Sequence, residues 1–237
     1  MWIFCAGMAR SASTLQYQIA SHLVEGAGLG SRVPWTSADE FPSVRASAKG
    51  SRAWRVFKCH ECPPEIALEL REGDARALST YRDLRDVIAS QMLFLGMSFD
   101  RVWSAGFLEE CVERHLAWTA TPRVAMTRYE SIVADPAAHV RQVAAHLEIP
   151  ITDGEAAALV AEYSIEKQRE RIASRAATET VDSVNGPLRF HPRTLLHHNH
   201  INSGRPGAWK EILSSQEQRR VEETFADWLV DHGYPVG

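Results

Sequence analysis

The sequence predicts an α/β fold, a parallel central sheet flanked by helices. Three observations carry this. Short apolar runs alternate with amphipathic stretches along the chain, which favours strands laid parallel and covered on both faces. The first run, WIFCA at residues 2–6, feeds a loop of small residues, GMARSAS at 7–13, and then a helix. The first three runs all end in polar clusters, and in such sheets ligands bind beyond the carboxyl ends of the strands.

The elements follow in order. Leu15, Ile19 and Leu23 have helical spacing after the first loop. Residues 26–52 are rich in Gly, Ser, Arg and Pro without a period, so they read as a long loop at the active site. A second strand spans 53–59. Pro63 and Pro64 open a helix to about Arg71, and a third strand spans 77–81. Asp83 caps the next helix, with Asp86 at capping-box spacing. A helix covers 107–120, with Leu108, Cys111, Val112, His115 and Leu116 on one stripe, and 123–129 form a fourth strand. Asp135-Pro136 starts a helix, Thr152 with Glu155 caps another, and Ser214 with Glu217 caps the last. Residues 164–205 are polar and read as irregular, with 176–205 a second active-site loop.

Composition narrows the classes. A chain of 237 residues is ample for one domain over 1–237. A net charge of −4 argues against a general nucleic-acid binder. No apolar run approaches the roughly 20 residues of a membrane span. No leader-like segment precedes the first strand, and four cysteines in a chain this long do not make a disulfide scaffold, so a cytoplasmic, reduced protein is expected. Oligomeric state is not encoded in any visible pattern.

The first strand end reads Gly7-Met-Ala-Arg10-Ser11-Ala12-Ser13-Thr14. Small residues let the backbone wrap an anion, and the following helix turns its N–H groups and positive dipole end toward it. Against G-x-x-x-x-G-K-[ST], the lysine position is Ser13, and the cation sits at Arg10. No acidic magnesium-binding strand end is visible. On this stretch alone an ordinary strand-to-helix turn is as good a reading. The second strand ends Lys58-Cys59-His60, and period two puts Lys58 and His60 on one face. A lysine beside an imidazole suits a base next to an electrostatic clamp, although such a pair in a wet loop is common. The third strand ends at Arg82, with Ser90 two turns into the next helix, a pair able to hold a second anion. Arg82 could instead pair with Asp86. Cys59 and Cys62 form a CxxC, and His197, His198 and His200 cluster later, but one CxxC is a weak zinc signal.

Taken together, these stretches resemble the sulfotransferases that use 3′-phosphoadenosine 5′-phosphosulfate (PAPS). Arg10-Ser11-Ala12-Ser13-Thr14 resembles that family's 5′-phosphosulfate loop, [KR]-S-G-[TS]-[TS], and Lys58-Cys59-His60 its K-T-H. Arg82-Asp83-Leu84-Arg85-Asp86 through Ser90 resembles its 3′-phosphate motif. Arg128–Pro136 is similar to R-Y-E-D-L-x-x-D-P, and Asn202–Lys210 to R-K-G-x-x-G-D-W-K. The resemblance implies a P-loop-like fold and transfer of a sulfuryl group from PAPS to a hydroxyl, or less favourably an amine, of a small-molecule or carbohydrate acceptor. The product left is 3′-phosphoadenosine 5′-phosphate (PAP), and no metal is required. It implies His60 as base, with Lys58 and Arg10 also catalytic. Arg10, Ser11, Ala12, Ser13, Thr14, Leu15, Arg82, Ser90, Tyr129, Asn202, Ser203 and Gly204 would bind the donor. The chain departs from the family at Ala12, where glycine stands, and at Leu15, where cytosolic members have an aromatic. It departs again at Asn202 and Ser203, which replace an Arg-Lys pair; Arg205 could compensate. The rival readings are a P-loop kinase, needing a lysine at position 13, and a PAP-binding protein without catalysis. Trp35, Phe41, Trp103 and Phe107 could stack on an acceptor ring or serve packing. The 26–52 loop, residues 97–107 and residues 176–200 would shape the acceptor pocket.

Overall fold

The computed structural model describes residues 1–174, 181–182, 189–197, 199 and 201–237. The first half comprises β1 (Trp2–Cys5), α1 (Ser13–Gly26), β2 (Gly30–Arg32), α2 (Phe41–Ser47), β3 (Trp54–Lys58), α3 (Pro64–Glu72), β4 (Ala75–Tyr81), α4 (Leu84–Leu95), α5 (Phe99–Ser104) and α6 (Phe107–Thr119). The second half adds β5 (Val124–Arg128), α7 (Tyr129–Ala134), α8 (Pro136–Leu147), α9 (Asp153–Glu162) and α10 (Ile165–Ala173). After them come β6 (Val181–Asp182), β7 (Arg189–Phe190), α11 (Trp209–Ile212), α12 (Ser215–Thr224) and α13 (Ala226–Asp231).

Strands β2-β3-β1-β4-β5 form one sheet in that order, and every pairing is parallel. The chain leaves β1 toward one edge, returns in β3 and crosses to β4 on the other side. The crevice at the carboxyl end of β1 is therefore flanked by the ends of both β3 and β4.

Strand β1 shows why the sheet is covered on both faces. Its alternate residues supply two separate cores. Ile3 and Cys5 face Tyr17, Ile19, Val140, Val143 and Leu147 from α1 and α8. Trp2 and Phe4 face Phe41, Phe57, Ile66, Leu70 and Trp118 from α2, β3, α3 and α6. Phe4 meets Phe41 edge-on with ring centroids 5.1 Å apart, a favoured aromatic geometry. Emptying such a site costs about 3–5 kcal/mol. A third cluster joins α4, α5 and α6 to the C-terminal helices through Trp209 and Trp228.

Two segments differ from the sequence reading. Residues 26–52 are not one loop, for they hold β2, a single 3-10 turn at Ala38–Glu40 and α2. The strand is polar and at the sheet edge, so it has no apolar alternation. Gly30 lies flat against Trp54, whose carbonyl oxygen would be 2.0 Å from an added Cβ. Ser37 and Glu40 form a capping box, a signal present in the sequence. Within 164–205, α10 is regular. Ser164 caps it through Lys167 N, and its buried side chain is Gln168, so no apolar stripe marks it. The boxes expected at Thr152/Glu155 and Ser214/Glu217 are present. Asp83 also caps α4, but it accepts from Arg85 N, and Asp86 is used elsewhere.

Candidate active site

The loop from Gly7 to Thr14 is zipped onto β4. Ala6 N donates to Leu78 O and Met8 N to Thr80 O, at 2.7 and 2.9 Å. Gly7 has φ 138°, and a Cβ there would stand 2.2 Å from Thr80 Oγ1, so glycine is required. Ser11 closes the loop from inside, its hydroxyl bonding Met8 O at 2.7 Å and Thr80 Oγ1 at 2.8 Å. The Ser11 hydroxyl is thus turned into the loop, toward β4.

Arg10 and Ala12 both lie in the left-handed region, with φ of 64° and 69°. Ala12 thus keeps the conformation a glycine would hold, at a cost of about 1 kcal/mol. Ala12 is the N-cap of α1 and makes no side-chain cap bond, and no acidic residue stands in the first turn. The dipole end of α1 therefore opens on the loop without local compensation, the arrangement that favours an anion. Ser13 and Thr14 are its buried first residues.

On the β3 side stands the lysine–imidazole pair. His60 Nδ1 lies 2.7 Å from Gly7 O, a carbonyl that can only accept, so Nδ1 carries the proton. Nε2 is then the basic atom, and Lys58 Nζ reaches it at 3.4 Å. Trp118 Nε1 donates to the His60 carbonyl at 2.9 Å and fixes this backbone. Burial and the neighbouring Lys58 ammonium push His60 down to about 3, so the ring is neutral. Burial pushes Lys58 down to about 8, leaving it mostly cationic at neutral pH.

On the β4 side a cavity of about 350 Å³ opens beside the loop. Arg10, Ala12, Thr14, Leu15, Arg82, Ser90, Tyr129, Asn202 and Gly204, all expected from the sequence, line it. Arg10 Nε donates to Ser90 Oγ at 3.0 Å, and its guanidinium lies 4.4 Å above the Phe94 ring. Burial, then Arg82, lowers Arg10 to about 10. Arg82 stacks 4.0 Å over the Tyr129 ring and pairs with Asp86 at 3.4 Å. It donates to the carbonyls of Arg10 and Arg205, while its buried Nε has no partner among the described residues. The 202–209 segment is clasped over this end. Tyr129 Oη donates to Gly204 O at 2.5 Å and Asn202 Nδ2 to Ser90 O at 3.3 Å. Asp86 accepts from Gly207 N and Trp209 N.

Other residues named from the sequence lie off this cavity or outside the described residues. Ser203 is exposed and off the cavity, its hydroxyl accepting from Arg205 N. The Arg205 side chain pairs with Glu211 at the surface. Phe41 packs in the core and Trp103 stacks on Phe99, the packing alternative for both. No residue of 26–52 lines the cavity. Cys59 packs in the aromatic core, and burial raises the thiols of Cys59 and Cys62. His198, His200 and much of 176–188 lie outside the described residues. Other cavity residues carry no motif: Gln18, Ile19, His139, Leu159, Tyr163 and Gln168. Leu15, Gln18 and Ile19 share one helical face, the one sequence signal that could have extended the site along α1.

The fold defines a P-loop-like α/β protein, with a loop of small residues at the end of its central strand. More particularly, the chain belongs to the sulfotransferase family, for the model of the Sulfotransferase domain matches residues 3–233. Among solved structures, mouse sulfotransferase SULT7A1 complexed with PAP superposes with a TM-score of 0.71 at 14% identity. That match covers 96% of this chain and 83% of the other. Retinol dehydratase in complex with androsterone and inactive cofactor PAP superposes with a TM-score of 0.68 at 15% identity, over 100% of this chain and 82% of that one. These likenesses are likenesses of fold. No curated protein matches the chain in sequence.

Proposed function

We propose that the chain transfers a sulfuryl group from PAPS to a hydroxyl of a small-molecule acceptor, a carbohydrate hydroxyl being the other member of that class. The observation that carries this is the Gly7–Thr14 loop with an anion-ready position on each side. One side faces the Lys58–His60 pair, the other the Arg82–Ser90 end of a cavity long enough to continue into an apolar pocket. A donor with one phosphate at each position and a base beyond them suits that division. The two neighbours named above were each solved with PAP, which supports the same donor here.

His60 Nε2 accepts the proton of the acceptor hydroxyl as its oxygen bonds to sulfur. The bond from sulfur to the bridging oxygen of the 5′-phosphate breaks, and negative charge gathers on that oxygen. Lys58, Arg10 and the N–H groups at the start of α1 stabilise it, preorganised rather than recruited. A neutral His60 is suited to receive a proton, and the negative charges of a bound donor would raise its affinity for that proton. Arg82, Ser90, Asn202 and Gly204 hold the 3′-phosphate. Thr14 and the loop N–H groups hold the 5′-phosphate. Ser13 stands where a P-loop kinase needs its lysine, which disfavours ATP chemistry. The test is transfer of labelled sulfate from PAPS to an acceptor panel. Transfer by the wild type supports the reading, and absence of transfer together with absence of PAP binding overturns it.

A further inference from the structure

His60 has four polar atoms, and three of them are held. Its Nδ1–H donates to Gly7 O at 2.7 Å, and its carbonyl accepts from Trp118 Nε1 at 2.9 Å. Its backbone N–H donates to Glu61 Oε2 at 3.4 Å, and Glu61 Oε1 is paired in turn with Arg114 at 2.6 Å. Nε2 is left for chemistry, with Lys58 beside it.

Arg114 and Trp118 both belong to α6 and project from successive turns of one face. One turn before them on that face, Cys111 packs its buried thiol against Ala9 of the Gly7–Thr14 loop. A single helix face therefore touches the base and the loop together. The helix is itself firmly seated. Leu108 and Cys111 pack with Met8, Leu84 and Ile88, while Trp118 packs with Phe4, Phe57 and Cys59 in a separate cluster. His115, buried on the flank, meets His232 at the end of α13 through their Nε2 atoms at 2.8 Å. Arg114 also pairs with Glu110 at 2.5 Å, which steadies the guanidinium that holds Glu61. An apolar ring could pack at position 118. What the indole adds is one N–H donor, and it is directed at His60.

We propose that α6 is the common support of the base and the donor loop, with Trp118 and Arg114 as positioning residues for His60. Neither lines the cavity, and both act through His60. Trp118 holds its carbonyl directly, and Arg114 holds Glu61, which receives its backbone N–H. A base shifted slightly from the acceptor hydroxyl takes the proton poorly, while ground-state binding of donor and acceptor is little changed. The inference rests on the sulfuryl-transfer reading above and deepens it, by naming what keeps the base in register with the donor.

Steady-state transfer from labelled PAPS, with calorimetric titration of PAP alongside, tests this in the wild type, Trp118→Phe and Arg114→Gln. Trp118→Phe keeps a ring and loses the donor, so kcat should fall by about tenfold, the worth of one buried hydrogen bond. Arg114→Gln should lower kcat by up to about fivefold, the upper range for a part-exposed ion pair. In both variants acceptor KM, PAP affinity and the number of PAP sites per chain should stay as in the wild type, because the loss falls on the transition state. Unchanged kcat in either variant overturns the proposal. So does a loss of kcat matched by an equal loss of PAP sites, which marks a purely structural role. If Trp118→Phe does not fold, Arg114→Gln decides by the same criteria. A wild type that neither binds PAP nor transfers label overturns the underlying reading, and the proposal with it.

Discussion

The two ends of the cavity differ in how they are made. The charged end is assembled from contiguous stretches, each at the end of a strand, 7–14 after β1 and 82–90 after β4, and the 58–60 stretch at the end of β3 stands across the loop from it. The apolar end is assembled from single residues of α1, α7, α8, α9 and α10, and of these α1, α8 and α9 also build the core behind it. Chemistry that handles charge needs fixed backbone geometry, and tight geometry comes from short-range sequence. Shape and hydrophobicity can be supplied by any residue that happens to face the space.

This contrast orders the expected effects of substitution. The largest should fall on the β3 side. His60→Ala should lower kcat by about 10²–10⁴-fold, the range for loss of a general base. PAP binding should persist, since His60 does not line the cavity. Full retained activity would remove His60 as the base. Next, Arg82→Ala should weaken PAP by about 10²-fold, because a charge-assisted contact is lost. Adenosine 5′-phosphosulfate, which lacks the 3′-phosphate, should be weakened far less. Equal weakening would separate Arg82 from the 3′-phosphate.

Titration sharpens the contrast further. With Lys58 lowered to about 8, its charge is lost as pH rises through that value, so kcat/KM should fall on the alkaline side near 8. His60, lowered to about 3, should give no fall near its ordinary 6.5. A profile dropping below pH 6.5 would contradict the buried, Lys58-flanked imidazole. The folded state shows the same sign. His60, His115 and His139 are all depressed, to about 3, 4 and 4. Each contributes stability that is present above pH 6.5 and lost as pH falls toward the folded value. Urea midpoints should therefore decline from pH 7 to 4.5. A flat profile would mean these imidazoles are solvated. The smallest effect is expected at Ala12→Gly. Relief of the left-handed alanine should stabilise the fold by about 1 kcal/mol at most, with PAP binding retained.

The contrast also explains what the sequence could tell. The strand-end clusters were legible because anion loops, a Lys-x-His strand end and an Arg-to-Ser helix start are local patterns. Their placement around one crevice follows from parallel β1, β3 and β4. Ser11 and Asp86 show what sequence does not tell, for hydroxyls and carboxylates look alike in sequence whether they face a ligand or tie down a loop. Ser11 bonds Thr80, and Asp86 reaches across more than a hundred residues to Gly207 and Trp209. Strand β2 was hidden by its polar edge sequence, and α10 by burying Gln168 where an apolar residue is expected. His139 sits among apolar positions of an ordinary amphipathic helix, and nothing in its neighbours marks it.

The most direct test of the central claim is a single transfer experiment. Wild type and His60→Ala are incubated with labelled PAPS and a panel of hydroxyl acceptors, with PAP binding measured in parallel. We expect label to move to an acceptor hydroxyl with the wild type, and transfer to be lost with His60→Ala while PAP affinity is unchanged. Transfer that persists undiminished in His60→Ala, or a wild type that neither binds PAP nor transfers label, would contradict it.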